Sequence, residues 1–150
     1  MRIGLVVIQG AFCLLGGATE ASASGVLDFV YPCFEQGQPQ AGQKMASFSS
    51  SQVVKPGALM EISDTLVRLP KLRVSIVGNA DSSECAGDEC MALSERRANA
   101  IYTWLVASGV SKFQISESIG VGTARPMYDG TDEKWHWANR CVAVDPVDGS

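Results

Sequence analysis

The amino-acid sequence predicts an α+β fold, a two-layer sandwich of the order β-α-β-α-β-β with the helices on one face of a mixed sheet. Three observations support this prediction. The chain has 150 residues, of which 46% are hydrophobic and 19% charged, as in a domain with a single core. Stretches with helical and with strand periodicity alternate along the chain. Two helices are too few to cover both faces of such a sheet, so both are expected on one side.

A short strand is expected near Phe48, and the first helix follows it. Pro56 can begin this helix, because a proline at the first helical position loses no backbone hydrogen bond of the helix. Pro70 ends it. The apolar residues of the helix recur at three- and four-residue steps; they are Leu59, Ile62, Leu66 and Leu69. Alternating apolar residues then predict a strand over residues 72–77 that ends at Gly78.

The rest of the chain predicts a second helix and two further strands. The helix is expected from near Cys90 to Ser108, because Gly109 favours a C-terminal break. Its apolar stripe consists of Ala98, Ile101 and Leu105. One strand is expected over residues 114–119 and the last over residues 140–145.

Residues 1–23 have the order of a secretory signal peptide. Arg2 is basic, residues 3–18 form an apolar run, and residues 21–23 are an A-x-A-like site after which we expect cleavage. The alternatives are a buried first strand and an uncleaved anchor helix. The run is shorter than the roughly 20 residues that span a membrane, so we expect no transmembrane helix in the mature chain. The bulky Phe12 ahead of Cys13 argues against lipidation.

The mature chain divides into three parts. Prolines and glycines mark residues 24–47 as an irregular N-terminal extension, which is expected to dock on another protein or to cover a sheet edge. Residues 48–145 hold the predicted helices and strands and form the domain. Residues 146–150 are a C-terminal tail.

Cleavage leaves four of the five cysteines, an even set with three possible pairings in an oxidising compartment. They are Cys33, Cys85, Cys90 and Cys141. Cys85 and Cys90 are close enough in sequence to bridge locally, which leaves Cys33 with Cys141. A zinc site would show paired C-x2-C spacings or nearby histidines, whereas the chain has one histidine, His136. We therefore expect the disulfides Cys85–Cys90 and Cys33–Cys141, with no metal and no other cofactor.

Charge and residue types argue against two classes of function. Twelve Lys and Arg against sixteen Asp and Glu give a net charge of -4, which disfavours unspecific binding to nucleic-acid phosphates. No nucleophile, metal set or pair of carboxylates stands at a convincing catalytic spacing, and His136 is expected to be a loop histidine. We therefore expect no catalytic residue and no enzyme.

Asp81 and Arg97 are the candidate binding residues. Asp81 lies at the mouth of the loop after a predicted strand, and Arg97 lies in the second predicted helix. A carboxylate accepts hydrogen bonds from an ammonium group, and a planar guanidinium binds a carboxylate, so the pair can hold a zwitterion. The N-terminus of the helix would add partial positive charge. An ordinary surface ion pair is the alternative, and these two residues alone favour it.

Six short blocks of the sequence together resemble the OmpA-like peptidoglycan-binding domain, over about residues 48–144. They are Gly78-Asn79-Ala80-Asp81, Leu93-Ser94-Glu95-Arg96-Arg97-Ala98, Gly109-Val110, Gly120-Val121-Gly122, Pro126 and Asn139-Arg140. The resemblance implies the same fold and non-covalent, non-enzymatic binding of diaminopimelate in the peptidoglycan stem peptide. It implies that Asp81 and Arg97 bind this ligand. The candidate supporting residues are Asn79, Ser94, Asn139 and Arg140.

Departures from the family pattern leave an alternative open. The family's Gly-His-Thr-Asp is Gly78-Asn79-Ala80-Asp81 here, and Cys90 replaces a common asparagine. The loop disulfide is expected to pre-order the loop in place of the lost hydrogen-bond donors. The alternative is a structural or assembly subunit of an envelope complex whose peptidoglycan binding is lost or weakened. Both interpretations imply a periplasmic protein, with an envelope protein partner and outer-membrane association through it as further expectations.

Overall fold

The computed structural model describes residues 29–44 and 48–147. The predicted signal peptide lies outside the described residues. The helices and strands, numbered in chain order, are α1 Pro56–Arg68, β1 Val74–Gly78, α2 Asp88–Ala107, β2 Ile115–Gly120 and β3 Val142–Pro146. A 3-10 helical segment, Glu133–Arg140, leads into β3. Each predicted helix and each of the last three predicted strands is present, with ends shifted by one or two residues.

The three strands form a mixed sheet in the order β2-β1-β3. Strand β1 runs parallel to β2, with Val77 opposite Ile119, and antiparallel to β3, with Ile76 opposite Val144. Val74 and Ile76 of the central strand are fully buried, as the alternating pattern predicts for a strand with one face on the core. The prediction of an α+β fold with a mixed sheet is confirmed.

The strand expected near Phe48 is not present in the described residues. The chain turns there instead, because Ser49 and Gln52 form a reciprocal capping box around a short 3-10 turn. Extended pairing occurs earlier, as isolated bridges from Cys33 to Cys141 and from Phe34 to Val53. Phe48 packs into the core, where its ring lies 5.8 Å from the ring of Phe34. The N-terminal segment thus pairs through Cys33 with the residue that precedes β3, and through Phe34 with the segment ahead of α1.

Helix α2 packs very closely on the sheet at two glycines. A Cβ atom on Gly78 would lie 2.1 Å from the backbone oxygen of Ser94, and one on Gly120 would lie 2.3 Å from the backbone nitrogen of Glu95. Only a residue without a side chain fits between the strand and the helix at these points. The glycines therefore set the helix directly against the C-terminal ends of β1 and β2, where the candidate site lies.

The core lies between the sheet and the two helices. Its fully buried members from the helices include Leu59, Ile62, Leu66, Ile101 and Leu105. The structure has both expected disulfides, Cys33–Cys141 and Cys85–Cys90. Among the described residues, none of the helices combines the length and apolar character needed to cross a membrane.

Candidate functional site

Asp81 is held at the end of β1 by the backbone of the neighbouring segments. After Gly78, the N–H of Asn79 donates to the carbonyl of Cys141, and the N–H of Ala80 donates to the carbonyl of Gly122. These bonds fix the backbone directly before Asp81, whose side chain is only 1% exposed. Strand geometry therefore determines where this carboxylate lies.

The carboxylate of Asp81 accepts hydrogen bonds from several neighbours. The N–H and the hydroxyl of Ser83 donate to Oδ1, the former at 2.9 Å, and the amide of Asn139 donates to Oδ2 at 2.9 Å. Nδ1 of His136 lies 3.1 Å from Oδ2. Burial by itself raises the pKa of Asp81, but the bonds from Ser83, Asn139 and His136 outweigh it and lower the pKa from 3.8 to about 2. Asp81 is therefore an anion at neutral pH.

Arg97 is completely buried on the inner side of α2. Its Nε donates to the carbonyl of Gln38 at 2.8 Å. Nη1 donates to the carbonyl of Asn79 at 2.9 Å and to Glu84 Oε1 at 2.6 Å, and Nη2 donates to Glu84 Oε2 at 2.8 Å and to the carbonyl of Glu35 at 3.4 Å. A guanidinium has five N–H donors. All five are used within the chain.

Glu84 connects the two predicted binding residues. Its side chain is completely buried and forms a bidentate ion pair with Arg97. The N–H of Asp81 donates to Oε1 at 2.9 Å, and the N–H of Gly37 donates to Oε2 at 2.8 Å. Burial raises the pKa of Glu84, but the bonds from Arg97 and from the two amides outweigh it, and the pKa lies below its usual value. The structure thus brings Asp81 and Arg97 to one cluster, in which Arg97 contacts Glu84.

Residues 35–39 of the N-terminal extension cover this cluster, and we call them the strap. Three of the strap's backbone carbonyls accept from arginines of α2: two from Arg97, as given above, and that of Pro39 from Arg96 Nε at 3.1 Å. The strap begins two residues after Cys33, which the disulfide joins to Cys141. Part of the predicted extension is therefore fixed over Arg97.

A cleft of about 390 Å³ opens beside Asp81. Its polar lining consists of Ser82, Thr123, Tyr128, Asp129, His136 and Asn139. The side chain of His136 is 28% exposed and stands edge-on to the ring of Tyr128, with the ring centres 5.9 Å apart. A polar ligand in this cleft would meet His136 and Asn139 before it met the carboxylate of Asp81.

The four candidate supporting residues differ in what they contact, and one of them bonds to Asp81. Asn139 contacts Asp81 directly. The hydroxyl of Ser94 accepts from the N–H of Gly122 at 2.8 Å and therefore joins α2 to the loop after β2. Asn79 bonds weakly to the Cys141 carbonyl at 3.5 Å, and its Oδ1 is buried with no partner among the described residues. Arg140 Nε donates to a backbone carbonyl, that of Phe34, at 3.3 Å.

Two residues of the cluster were not anticipated. Glu84 and Ser83 lie in a polar loop with several other acidic and hydroxyl residues, and no local pattern distinguishes them. The one indication that an acidic residue lies there is physical, because a buried arginine needs a counter-charge.

His136 was expected to be a loop histidine, and in the structure it contacts Asp81, which lies 55 positions earlier in the sequence. Among the residues that the structure describes, no group of His, Cys, Asp and Glu is arranged to hold a metal ion.

Comparisons with known proteins agree with this architecture. The sequence model of the OmpA family matches residues 48–140. A curated relative, the peptidoglycan-associated lipoprotein of Pseudomonas putida, is 41% identical over 72 residues, which cover 48% of this chain and 42% of the relative. The match thus spans less than half of that protein's length. Asp81, Glu84 and Arg97 lie within the range that the family model matches, and the strap lies outside it.

Two solved structures illustrate the similarity of the fold. The crystal structure of the peptidoglycan-associated lipoprotein from Burkholderia pseudomallei has a TM-score of 0.55 and 26% identity, covering 61% of this chain and 75% of that one. The C-terminal domain of Helicobacter pylori MotB, residues 125–256, has a TM-score of 0.61. Its identity is 18%, and the match covers 80% of this chain and 85% of that one, so this second similarity concerns the fold alone.

Proposed function

The chain belongs to the OmpA family, and on this premise we propose that it attaches to peptidoglycan by non-covalent, non-enzymatic binding. The names of the relatives from Pseudomonas putida and Burkholderia pseudomallei support this function. The observation that carries the proposal is the carboxylate of Asp81 at the end of β1, which bonds to His136 and Asn139, two residues that line an open cleft. Arg97 is buried in the same cluster, where Glu84 joins its guanidinium to the backbone of Asp81. The compartment that suits this function is the periplasm, reached through the predicted signal peptide, with association to the outer membrane through a partner.

The proposed ligand is the diaminopimelate of the stem peptide. Its amine would bind the carboxylate of Asp81, which is ionised at neutral pH because its pKa is about 2, and its carboxylate would bind the guanidinium of Arg97. To reach Asp81, the amine must displace His136 from Oδ2. Asn139 bonds to the same oxygen and lines the cleft, so it is suited to orient the carboxylate toward the ligand.

A second candidate function is that of an assembly subunit in an envelope complex. The observation in its favour is that every N–H of Arg97 already has a partner within the chain. A domain with a permanently closed cluster would keep the fold without the ligand. The partner would then be another envelope protein.

Co-sedimentation with purified sacculi tests the two candidates. The pelleted fraction is measured for the wild type, Asp81→Asn and Arg97→Lys, with Asp64→Asn on the exposed face of α1 as the control. Thermal denaturation shows whether each variant is folded. We expect the wild type and the control to pellet, and folded Asp81→Asn and Arg97→Lys to stay in the supernatant. Full binding by both site variants would contradict the proposed site, and absence of wild-type binding would favour the assembly subunit.

A further inference from the structure

A carboxylate of the chain itself occupies the place that Arg97 would offer to a ligand. Glu84 meets the two ends of the guanidinium with one oxygen each, at 2.6 and 2.8 Å. This fork-to-fork geometry is the one in which arginine binds a free carboxylate group. Since the ligand proposed above also brings a carboxylate, Glu84 and the ligand require the same donors.

The surroundings of Glu84 form a complete carboxylate-binding site. Its oxygens accept four hydrogen bonds: two from Arg97 of α2, one from the backbone of Asp81 and one from the backbone of Gly37 in the strap. Three separate segments of the chain therefore converge on one carboxylate group. The same four donors would satisfy a carboxylate that came from outside.

The strap closes this site from above. It supplies the Gly37 donor to Glu84 and accepts from Arg97 through two carbonyls. The strap lies outside residues 48–140, to which the family model extends. The cover over Arg97 is thus built from a segment beyond the shared domain, and it must move before a ligand can enter.

We propose that Glu84 is an internal competitor for the carboxylate site on Arg97, which holds the domain in a closed state until a ligand carboxylate displaces it. This inference rests on the proposed function, because it assumes that the ligand is a peptidoglycan carboxylate. An incoming carboxylate can replace Glu84 as acceptor of the bonds from Arg97 and from the backbone of Asp81, so these bonds are conserved in the exchange. The free-energy cost of the exchange lies in moving the loop and the strap, because the bonds that the strap makes to Glu84 and Arg97 break when it moves. The apparent affinity of the wild type equals the intrinsic affinity of the open state multiplied by the fraction of molecules that are open.

Chemical rescue tests whether Glu84 fills a carboxylate site. The melting temperatures of the wild type, Glu84→Ala and the matched control Glu89→Ala are measured in sodium acetate and in sodium chloride at equal concentration. Glu89 is the control because it also pairs with an arginine, Arg96 at 2.7 Å, but its side chain is 57% exposed. We expect acetate to raise the melting temperature of Glu84→Ala alone. An equal response of all three proteins, or none, would overturn the proposal.

If Glu84→Ala does not fold, Glu84→Gln takes its place. Glutamine has the same length but lacks the charge, so free diaminopimelate or acetate should still stabilise this variant more than it stabilises the wild type. A folded Glu84→Gln with no such stabilisation would overturn the proposal as well.

Binding to purified sacculi tests the competition itself. The pelleted fractions of the wild type, Glu84→Gln and Glu89→Gln are compared over a range of sacculus concentrations. We expect Glu84→Gln to bind about tenfold more tightly than the wild type, because its site is no longer closed by a charged competitor, and Glu89→Gln to bind as the wild type does. Equal binding by all three overturns the competition and leaves the proposed function intact. Acetate rescue without sacculus binding by any variant supports Glu84 as the occupant of the site but overturns the proposed function.

Discussion

Replacing Asp81 by asparagine should remove a defined part of the acid sensitivity of this protein. The carboxylate of Asp81 is nearly inaccessible to solvent and accepts bonds from Ser83, Asn139 and His136. These bonds favour the ionised form and hold the pKa at about 2, against a usual 3.8. A group whose pKa is lowered by folding stabilises the folded state above its unfolded pKa, and this stabilisation is lost as the pH falls through the folded pKa.

The size of the effect follows from the two pKa values. One pKa unit corresponds to about 1.4 kcal/mol, so the shift from 3.8 to about 2 amounts to about 2 kcal/mol in the free energy of unfolding. Nearly all of it should be present at about pH 5 and most of it lost at about pH 2. Asparagine does not titrate, so the variant lacks this contribution at every pH.

Urea denaturation at several pH values between about 5 and about 2 measures this contribution. The quantity to compare is the difference in unfolding free energy between the wild type and Asp81→Asn. We expect this difference to shrink by about 2 kcal/mol over the range, while the difference between the wild type and the control Asp64→Asn changes much less. A wild-type advantage over Asp81→Asn that stays constant with pH would refute the hydrogen-bonded, ionised state of Asp81 described here.

Three further predictions concern the scaffold around the site, and each is tested by measuring the free energy of unfolding of the variant against that of the wild type. Gly78→Ala should cost about 3 kcal/mol or more, because its Cβ would lie 2.1 Å from a backbone oxygen of α2. Ser94→Ala should cost about 1–3 kcal/mol, because it leaves the buried N–H of Gly122 without its acceptor. The double variant Cys33→Ser with Cys141→Ser should cost about 2–5 kcal/mol, because the bridge closes a loop with a sequence separation of 108.

Each of these predictions has a result that contradicts it. A Gly78→Ala variant as stable as the wild type would mean that α2 does not approach β1 as described. A neutral Ser94→Ala would mean that water or another group satisfies Gly122. Free thiols at Cys33 and Cys141 in the oxidised protein, counted after denaturation without reductant, would contradict the disulfide.

The helices were predictable because their signals are local. The predicted first helix and α1 share their start at Pro56, and α2 begins at Asp88, two residues ahead of the predicted start near Cys90. Periodicity and proline position depend only on neighbouring residues. The prediction of a strand near Phe48 was wrong. A capping box between Ser49 and Gln52 closes a turn there, and the apolar character of Phe48 indicated that its side chain is buried, not that the backbone is extended.

The candidate site was predictable only in part. The motif blocks indicated Asp81 and Arg97, and the fold brings both to one cluster through the loop after β1 and through α2. Glu84 as the partner of Arg97 was not predictable, because the contact depends on how that loop closes and on the strap above it. Which side chain faces a buried guanidinium is a property of packing, since many acidic residues of the chain have the same local character.

The α+β class, the two helices and the charged motif residues could be recognised from the amino-acid sequence, because they follow from short-range periodicity and from residue types. The local spacing of Cys85 and Cys90 likewise indicated their disulfide. The complete burial of Arg97, the use of all its guanidinium donors and the position of the strap over it became apparent from the folded chain alone. A buried charge must find its partners in three dimensions, and here they come from segments that are distant along the chain.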